Sequence, residues 1–499
     1  MADGDEEDHM SSPLVFRLHD SSPRVVREVL LERGWEEFNE QEQEETEWNL
    51  YWRSSAFRSS EHGNVMPWQR LNHHPRTAQI MKKDCLARHL KRMKGIYGVS
   101  YFEFSPEAFI LPNDYTKLLA EYTKEKHNHK SSYWICKPTD LSRGRGIYVF
   151  QDIKDLAYDC AVVVQKYITN PLLISGYKFD LRVYVCVTCF CPLTIYVYQE
   201  GLVRFATEKF SLSSLDNIFA HLTNTSINKY STSYTAEKER IGSGCKWTFG
   251  QFRSYLRSLD VDDTLLWQRI YNIAIMTLLA ISSSVPPSPN CFELFGFDIL
   301  IDNTLKPWLL EVNCSPALSL DCPNDVTVKK SLINDIIDLL NYKASDGLRD
   351  GRHGNHETKA KEICCKCSNE DKSLQEIADN LMSKRVMFNE KIKGTSPRKT
   401  LTSKLRENIN MNQRFENSTK TVNTAISTVH RKQNNLFPLY FISDVDKSPP
   451  SHIGKFVLVF PFNQSSFVAS KNSTDIKSII QEINKLTQRL SSSRKETHT

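Results

Sequence analysis

The run Phe295-Gly296-Phe297-Asp298-Ile299-Leu300-Ile301-Asp302 is followed, across a polar turn near Asn303, by Trp308-Leu309-Leu310-Glu311-Val312-Asn313. Both runs have the apolar, β-branched texture of strands, and so short a turn between them makes a hairpin. Side chains at i and i+2 share a strand face, so Glu311 and Asn313 point one way while Leu310 and Val312 take the other. A pairing that sets Asp298 alongside gathers three oxygen-bearing side chains. Such a set suits a hard divalent cation, Mg2+ above all, that also holds phosphate oxygens and water. Taken alone, the same residues also fit a hairpin with polar groups along one exposed edge.

A second group is Tyr177-Lys178-Phe179-Asp180-Leu181-Arg182-Val183-Tyr184. Alternation puts Phe179, Leu181 and Val183 on one face and Lys178, Asp180 and Arg182 on the other. Arg182 can fork onto a phosphoryl group and stabilise charge that develops during transfer, with Asp180 steadying the neighbouring cations. A turn near Gly201 leads to a strand with Arg204, and a hairpin there brings Arg204 towards Arg182. Two neighbouring arginines imply an anionic guest. A ladder of cross-strand ion pairs is the rival reading, but it leaves Asp298, Glu311 and Asn313 unexplained.

Upstream, Lys137 ends the run Trp134-Ile135-Cys136-Lys137-Pro138, and a loop with Ser142, Arg143, Gly144, Arg145 and Gly146 precedes the strand-like Ile147 to Phe150. Glycines let a backbone approach phosphate closely, although any tight hairpin uses the same residues. Val162-Val163-Val164-Gln165-Lys166-Tyr167-Ile168 is an apolar strand ending in polar residues, fit to serve as a hinge whose backbone reads an adenine edge.

These residues need elements to position them. Ser22, Pro23, Val26, Val29, Leu30 and Gly34 read as a capped amphipathic helix that opens the fold. From Tyr133 to about Phe205 the chain is a series of short β-branched runs, which implies a mostly β core. Asp262 or Asp263 caps a long helix with Leu266, Ile270, Ile273 and Leu278, and Asp325 caps another with Val328, Leu332, Ile336 and Leu340. Beyond about Asn341 the chain is polar, apart from the short run Phe456 to Phe462. The organisation expected is an acidic terminus over 1–13, an N-terminal subdomain over 14–100, a central subdomain over 101–168, a C-terminal subdomain with the metal and phosphate site over 169–345, and a basic, mostly disordered tail over 346–499.

With 499 residues, 40% of them hydrophobic, the chain can bury a substantial core. A net charge of +5 is small for that length and implies no general affinity for nucleic acid. No signal peptide is visible, so the thirteen cysteines are expected as reduced thiols. The longest apolar stretches, 270–281 and 183–198, are shorter than the ~20 residues of a membrane span and read as core. Cys364, Cys365 and Cys367 lack a second pair at zinc spacing.

Taken together and in this order, the motifs resemble the tubulin-tyrosine ligase-like family, of the glutamate-adding type, from roughly Val15 to Leu340. Met66-Pro67-Trp68-Gln69-Arg70-Leu71-Asn72-His73, Lys82-Lys83-Asp84-Cys85-Leu86 and Phe109-Ile110-Leu111-Pro112 resemble the segments leading into that family's core. The resemblance implies an α+β, ATP-grasp-like core with antiparallel sheets flanked by helices. It places ATP against Lys137, Arg143, Gly144, Gln165, Lys166, Tyr167, Ile168, Lys178, Phe179, Asp180, Thr223 and Asn224. It makes Asp298, Glu311 and Asn313 the Mg2+ ligands, and it sets Arg204, Ser226, Lys246 and Lys329 around free L-glutamate. Thr225 departs from the pattern, since glutamate-adding members commonly carry a tyrosine there.

The activity implied is ATP-dependent ligation. An acceptor glutamate carboxylate becomes an acyl phosphate, and the amine of free glutamate displaces phosphate to leave an isopeptide bond, with Arg182 and Arg204 in the catalytic role. The expected partners are tubulin or microtubules, through their acidic tails, with neither nucleic acid nor membrane. Lys384, Arg385, Lys391, Lys393, Arg398, Lys399, Lys404 and Arg406 offer a basic docking segment or a solvated linker. The expected location is the cytoplasm and its microtubule cytoskeleton, with the cilium or basal body as candidates. A glycine- or tyrosine-adding ligase, an ATP-grasp kinase and a non-catalytic microtubule-binding protein are the rivals.

Overall fold

Sixteen strands form three sheets in the computed structural model, which describes residues 13–129, 131–233, 246–343, 346–347, 449–471 and 474–496. The N-terminal sheet holds β1 (Val15–Leu18), β2 (Glu36–Glu37), β3 (Leu50–Trp52) and β4 (Arg70–Leu71) in the parallel order β2-β1-β3-β4. The helix Arg24–Glu32 buries Val25, Val26, Val29 and Leu30. Ser22 does not cap this helix; its hydroxyl donates to the Trp52 carbonyl and ties the helix entry to β3.

A second sheet of β5 (Ala108–Leu111), β6 (Trp134–Pro138), β7 (Tyr148–Phe150) and β8 (Val162–Lys166) is antiparallel in the order β5-β8-β6-β7. Phe109, Trp134, Cys136, Val162 and Val164 share one core with Leu118 of the helix Tyr115–His127. Lys137 and Gln165 occupy alternate positions, so they belong to the opposite face.

The largest sheet comprises β9 (Leu173–Ile174), β10 (Tyr177–Phe190), β11 (Leu193–Lys209), β12 (Lys246–Thr248), β13 (Glu293–Ile301), β14 (Pro307–Asn313), β15 (His452–Ile453) and β16 (Phe456–Phe460). Its main path runs β14-β13-β10-β11-β16-β15, with β9 on β10 and β12 on β11. Phe179, Leu181, Val183, Val185 and Val187 enter the main core with the helix Thr264–Ser282. That helix is long and apolar enough to cross a membrane by composition, but its side chains pack against this sheet. On the other face of β10, Tyr184 and Cys186 join a second core with the helix Pro323–Leu340. Moving back along that face, the apolar row becomes charged at Arg182, Asp180 and Lys178. A sheet covered on both faces is what buries these ions.

Gly201 is not at a turn: β11 is continuous from Leu193 to Lys209, and Gly201 opposes Val183 within it. The glycine is required by packing, because a Cβ there would lie 2.5 Å from both the Arg182 carbonyl and the Phe249 ring. Within the expected tail over 346–499, residues 449–471 and 474–496 carry regular structure. β16 pairs with β11 over Ile195 to Tyr198, and the helix Ile476–Glu496 buries Ile479, Ile480 and Ile483 in the main core. These pieces satisfy a β11 edge that would otherwise stand unpaired. The basic cluster Lys384 to Arg406 and the cysteines Cys364, Cys365 and Cys367 lie outside the described residues; the nine described cysteines are free thiols.

Candidate active site

Strand register dictates how the charged row is assembled. Asp180 pairs with Arg204 across β10 and β11, Arg182 with Asp298 across β10 and β13, and Asp298 with Glu311 across β13 and β14. Arg182 Nε donates to Asp298 Oδ1 at 2.6 Å and its terminal nitrogen to Oδ2 at 3.1 Å. Arg204 forks onto Asp180 at 2.8 and 2.6 Å and also reaches Asp298 Oδ2 at 2.8 Å. Thr223 donates to Asp180 Oδ2 at 2.7 Å. All four ions are buried, so each arginine is held in position before any ligand arrives. Burial opposes the charged form of Asp298, yet Arg182 and Arg204 outweigh it and hold the carboxyl far below its usual range.

Glu311 and Asn313 complete the candidate metal set. Asn313 Nδ2 stands 3.4 Å from both Glu311 Oε1 and the Gly296 carbonyl. Burial, followed by the repulsion of Asp298, pushes the Glu311 carboxyl up to about 7. Two adjacent carboxylates that cannot both ionise comfortably, with an amide beside them, can offer oxygen donors that would fit Mg2+. Among the described residues no three His, Cys, Asp or Glu side chains group as metal ligands, so this mixed set depends on its amide.

The lysines have different company. Lys137 Nζ donates to Gln165 Oε1 at 2.8 Å, and Lys178 Nζ donates to Tyr167 Oη at 3.0 Å and to the His221 carbonyl at 2.8 Å. Neither has an ion-paired carboxylate among the described residues, and burial lowers Lys137 to about 8 and Lys178 to about 7. A bound anion would restore both charges. Lys83, at the start of the helix Lys83–Tyr97, donates to the Leu141 carbonyl at 2.6 Å and feels the charge of Glu311.

At the far edge of β11, Arg204 pairs with Lys246 of β12. Lys246 and Lys329 each stand 2.7 Å from an oxygen of Asp325, and all three are buried. A model of the tubulin-tyrosine ligase family matches residues 58–346. The chain belongs to that family. It is 50% identical to the human "Probable tubulin polyglutamylase TTLL2", over 97% of this chain and 87% of that protein. It is also 50% identical to the mouse protein of the same name, over 95% and 92% respectively. Mouse "Tubulin polyglutamylase TTLL5" is 38% identical over 67% of this chain and 25% of its own length.

As a tubulin-tyrosine ligase family member, the chain links most of the expected residues, drawn from two sheets and their loops, to one another, with three departures. Phe179 packs against Phe205 and Phe252 on the opposite face, because alternation turns it away from Lys178 and Asp180. The Lys166 side chain pairs with Glu125 on the far side of its sheet, so only its backbone is near Gln165 and Tyr167; Ile168 follows, half-buried. Ser226 donates to the Arg143 carbonyl at 3.1 Å and thereby secures the glycine loop. Arg143 and Gly144 have φ of 61° and 79°, and a Cβ on Gly144 would lie 2.2 Å from Ile227 and 3.2 Å from the Asn224 side chain. Asp325 was missed as a site residue. It is not the cap of its helix but a first-turn carboxylate shared by two lysines, one of them 79 positions away.

Proposed function

We propose that this family member is an ATP-dependent ligase that adds free glutamate, through an isopeptide bond, to glutamate side chains of tubulin tails. The observation that carries the reading is the buried cluster in which a candidate metal set, two pre-positioned arginines and two lysines with no carboxylate partner among the described residues meet. The names of the relatives as tubulin polyglutamylases favour tubulin as acceptor and glutamate as donor.

A carboxylate resists attack by an amine, so the acceptor is first activated as an acyl phosphate, and the amine then displaces phosphate with loss of its proton. Mg2+ at Asp298, Glu311 and Asn313 would supply charge neutralisation for a triphosphate. Lys137 and Lys178 bind phosphate oxygens and regain full charge on doing so. Arg182 and Arg204, fixed by Asp298 and Asp180, stabilise the charge that builds on the transferred group without reorganising. Arg204, Lys246 and Lys329 receive the carboxylates of the incoming amino acid, while Ser226 anchors the loop above. The reading places the protein on the microtubule cytoskeleton of the cytoplasm.

The test supplies labelled glutamate, glycine or tyrosine with ATP, Mg2+ and tubulin, and locates the adduct by mass spectrometry. Glutamate on a tubulin tail glutamate is the expected product. Transfer of glycine or tyrosine instead, or a stable phosphorylated product without an amide, would overturn the reading.

A further inference from the structure

Tyr184 is the fourth member of the row that begins with Lys178, Asp180 and Arg182, and it differs from the other three. Each of those has a hydrogen-bond partner within the site. The Tyr184 side chain is completely buried, and its hydroxyl has no hydrogen-bond partner among the described residues. Buried tyrosine hydroxyls elsewhere in the sheet are satisfied: Tyr198 reaches Ser331 at 2.9 Å and Tyr196 reaches the Pro450 carbonyl at 3.1 Å. The charges that bear on the Tyr184 hydroxyl, after burial itself, are Arg182, Asp325, Arg204 and Asp298. Its ring shares a core with Leu202 of β11, the strand of Arg204, and with Val328 and Leu332 of the helix that carries Asp325 and Lys329, so the residue lies between the elements that bear those charges.

A phenylalanine would fill the same space without a desolvated hydroxyl, and β10 itself uses phenylalanine at 179 and 190, as its neighbour β11 does at 205. An unpaired buried O–H costs free energy unless an acceptor arrives. The elements around it carry Arg204 and Lys329, and Lys246 pairs with Arg204, so the acceptor it suits is an anion. We propose that the Tyr184 hydroxyl donates a hydrogen bond to a carboxylate of the bound amino acid and helps set the preference for an acidic donor. This rests on the reading of Arg204, Lys246 and Lys329 as the amino-acid pocket. A site built around such a donor discriminates by leaving it unpaired when the ligand lacks the matching group.

The test uses the full-length protein with Tyr184→Phe, which keeps the ring and removes only the oxygen. The KM for glutamate should rise about tenfold, as for loss of one hydrogen bond to a charged group. The KM for ATP should stay within about twofold, and Tm should equal or exceed that of the wild type, since an unpaired polar atom has been removed from the core. A glutamate KM close to the wild-type value overturns the inference. So does an equal rise in both KM values, or a lowered Tm with a loss confined to kcat, because either marks a packing role. Were the wild-type protein to transfer no glutamate, the reaction assigned above would fall first. Calorimetric binding of glutamate to both proteins then decides the inference, which stands only if Tyr184→Phe weakens that binding.

Discussion

The centre of the site and its rim solve the problem of buried charge in opposite ways. At the centre, Arg182 and Arg204 are locked onto Asp298 and Asp180, four ions that neutralise one another with or without a ligand. At the rim, Lys137 and Lys178 are held by neutral oxygens, and burial draws down their readiness to carry charge. The centre is a finished scaffold, while the rim is completed by an anion. Stability therefore belongs to the first, and ligand-dependent charge to the second.

The largest expected effect removes support from the centre. A chain ending at residue 347 loses Phe456, Phe460, Ile479, Ile480 and Ile483, all buried, and uncovers the edge of β11, the strand that carries Arg204. At roughly 1.5–3 kcal/mol per side chain the loss exceeds the low end of a typical stability of about 5–15 kcal/mol. Such a protein should show no cooperative thermal transition; an unchanged Tm would refute the dependence.

Next, single substitutions should separate the two regions. Asp298→Asn leaves buried guanidiniums short of a partner and should cost about 3–5 kcal/mol in chemical denaturation, as for breaking a buried pair. Lys178→Met should change stability by less than about 1 kcal/mol, because removing a desolvated cation offsets its two hydrogen bonds. Nucleotide affinity should nonetheless fall roughly 10- to 100-fold, the worth of one hydrogen bond to a charged group. Equal destabilisation by the two changes would erase the distinction.

The smallest effect is in proton linkage, where the signs are opposed. Free Lys178 stands near 7 and Lys137 near 8, and an anion raises both, so nucleotide binding takes up protons above about pH 7 and weakens as pH rises. Glu311 stands near 7 and must ionise to hold a metal, so Mg2+ binding releases a proton and strengthens as pH rises towards and through 7. Calorimetry of each ligand in buffers of different ionisation enthalpy should give proton uptake for the first and release for the second. Release in both cases would show that the rim lysines are already charged.

Much of the site is legible because strand alternation is a local rule. The row Lys178, Asp180, Arg182 and the pair Glu311, Asn313 follow from period two, but Asp298 meets Glu311 only because a bulge shifts the register that the hairpin turn near Asn303 starts. What escapes local reading depends on distant partners. Gly201 looks like a turn residue until Phe249 packs on it, and Asp325 looks like a helix cap until Lys246 and Lys329 reach it. Lys166 and Phe179 adjoin binding residues in the chain, and their own alternation sends their side chains away. The segment 449–496 is harder still: three isoleucines and one five-residue strand acquire meaning only against β11 and the main core.

That last arrangement has a consequence for biosynthesis. β16 lies about 250 residues downstream of the strand it flanks, so at roughly 5–20 residues per second the ribosome needs about 10–50 s to deliver it. Throughout that interval the nascent polypeptide carries an open sheet edge at Ile195 to Tyr198, an attractive target for chaperones. A premature stop anywhere before it yields a product that cellular quality control can recognise by that same gap.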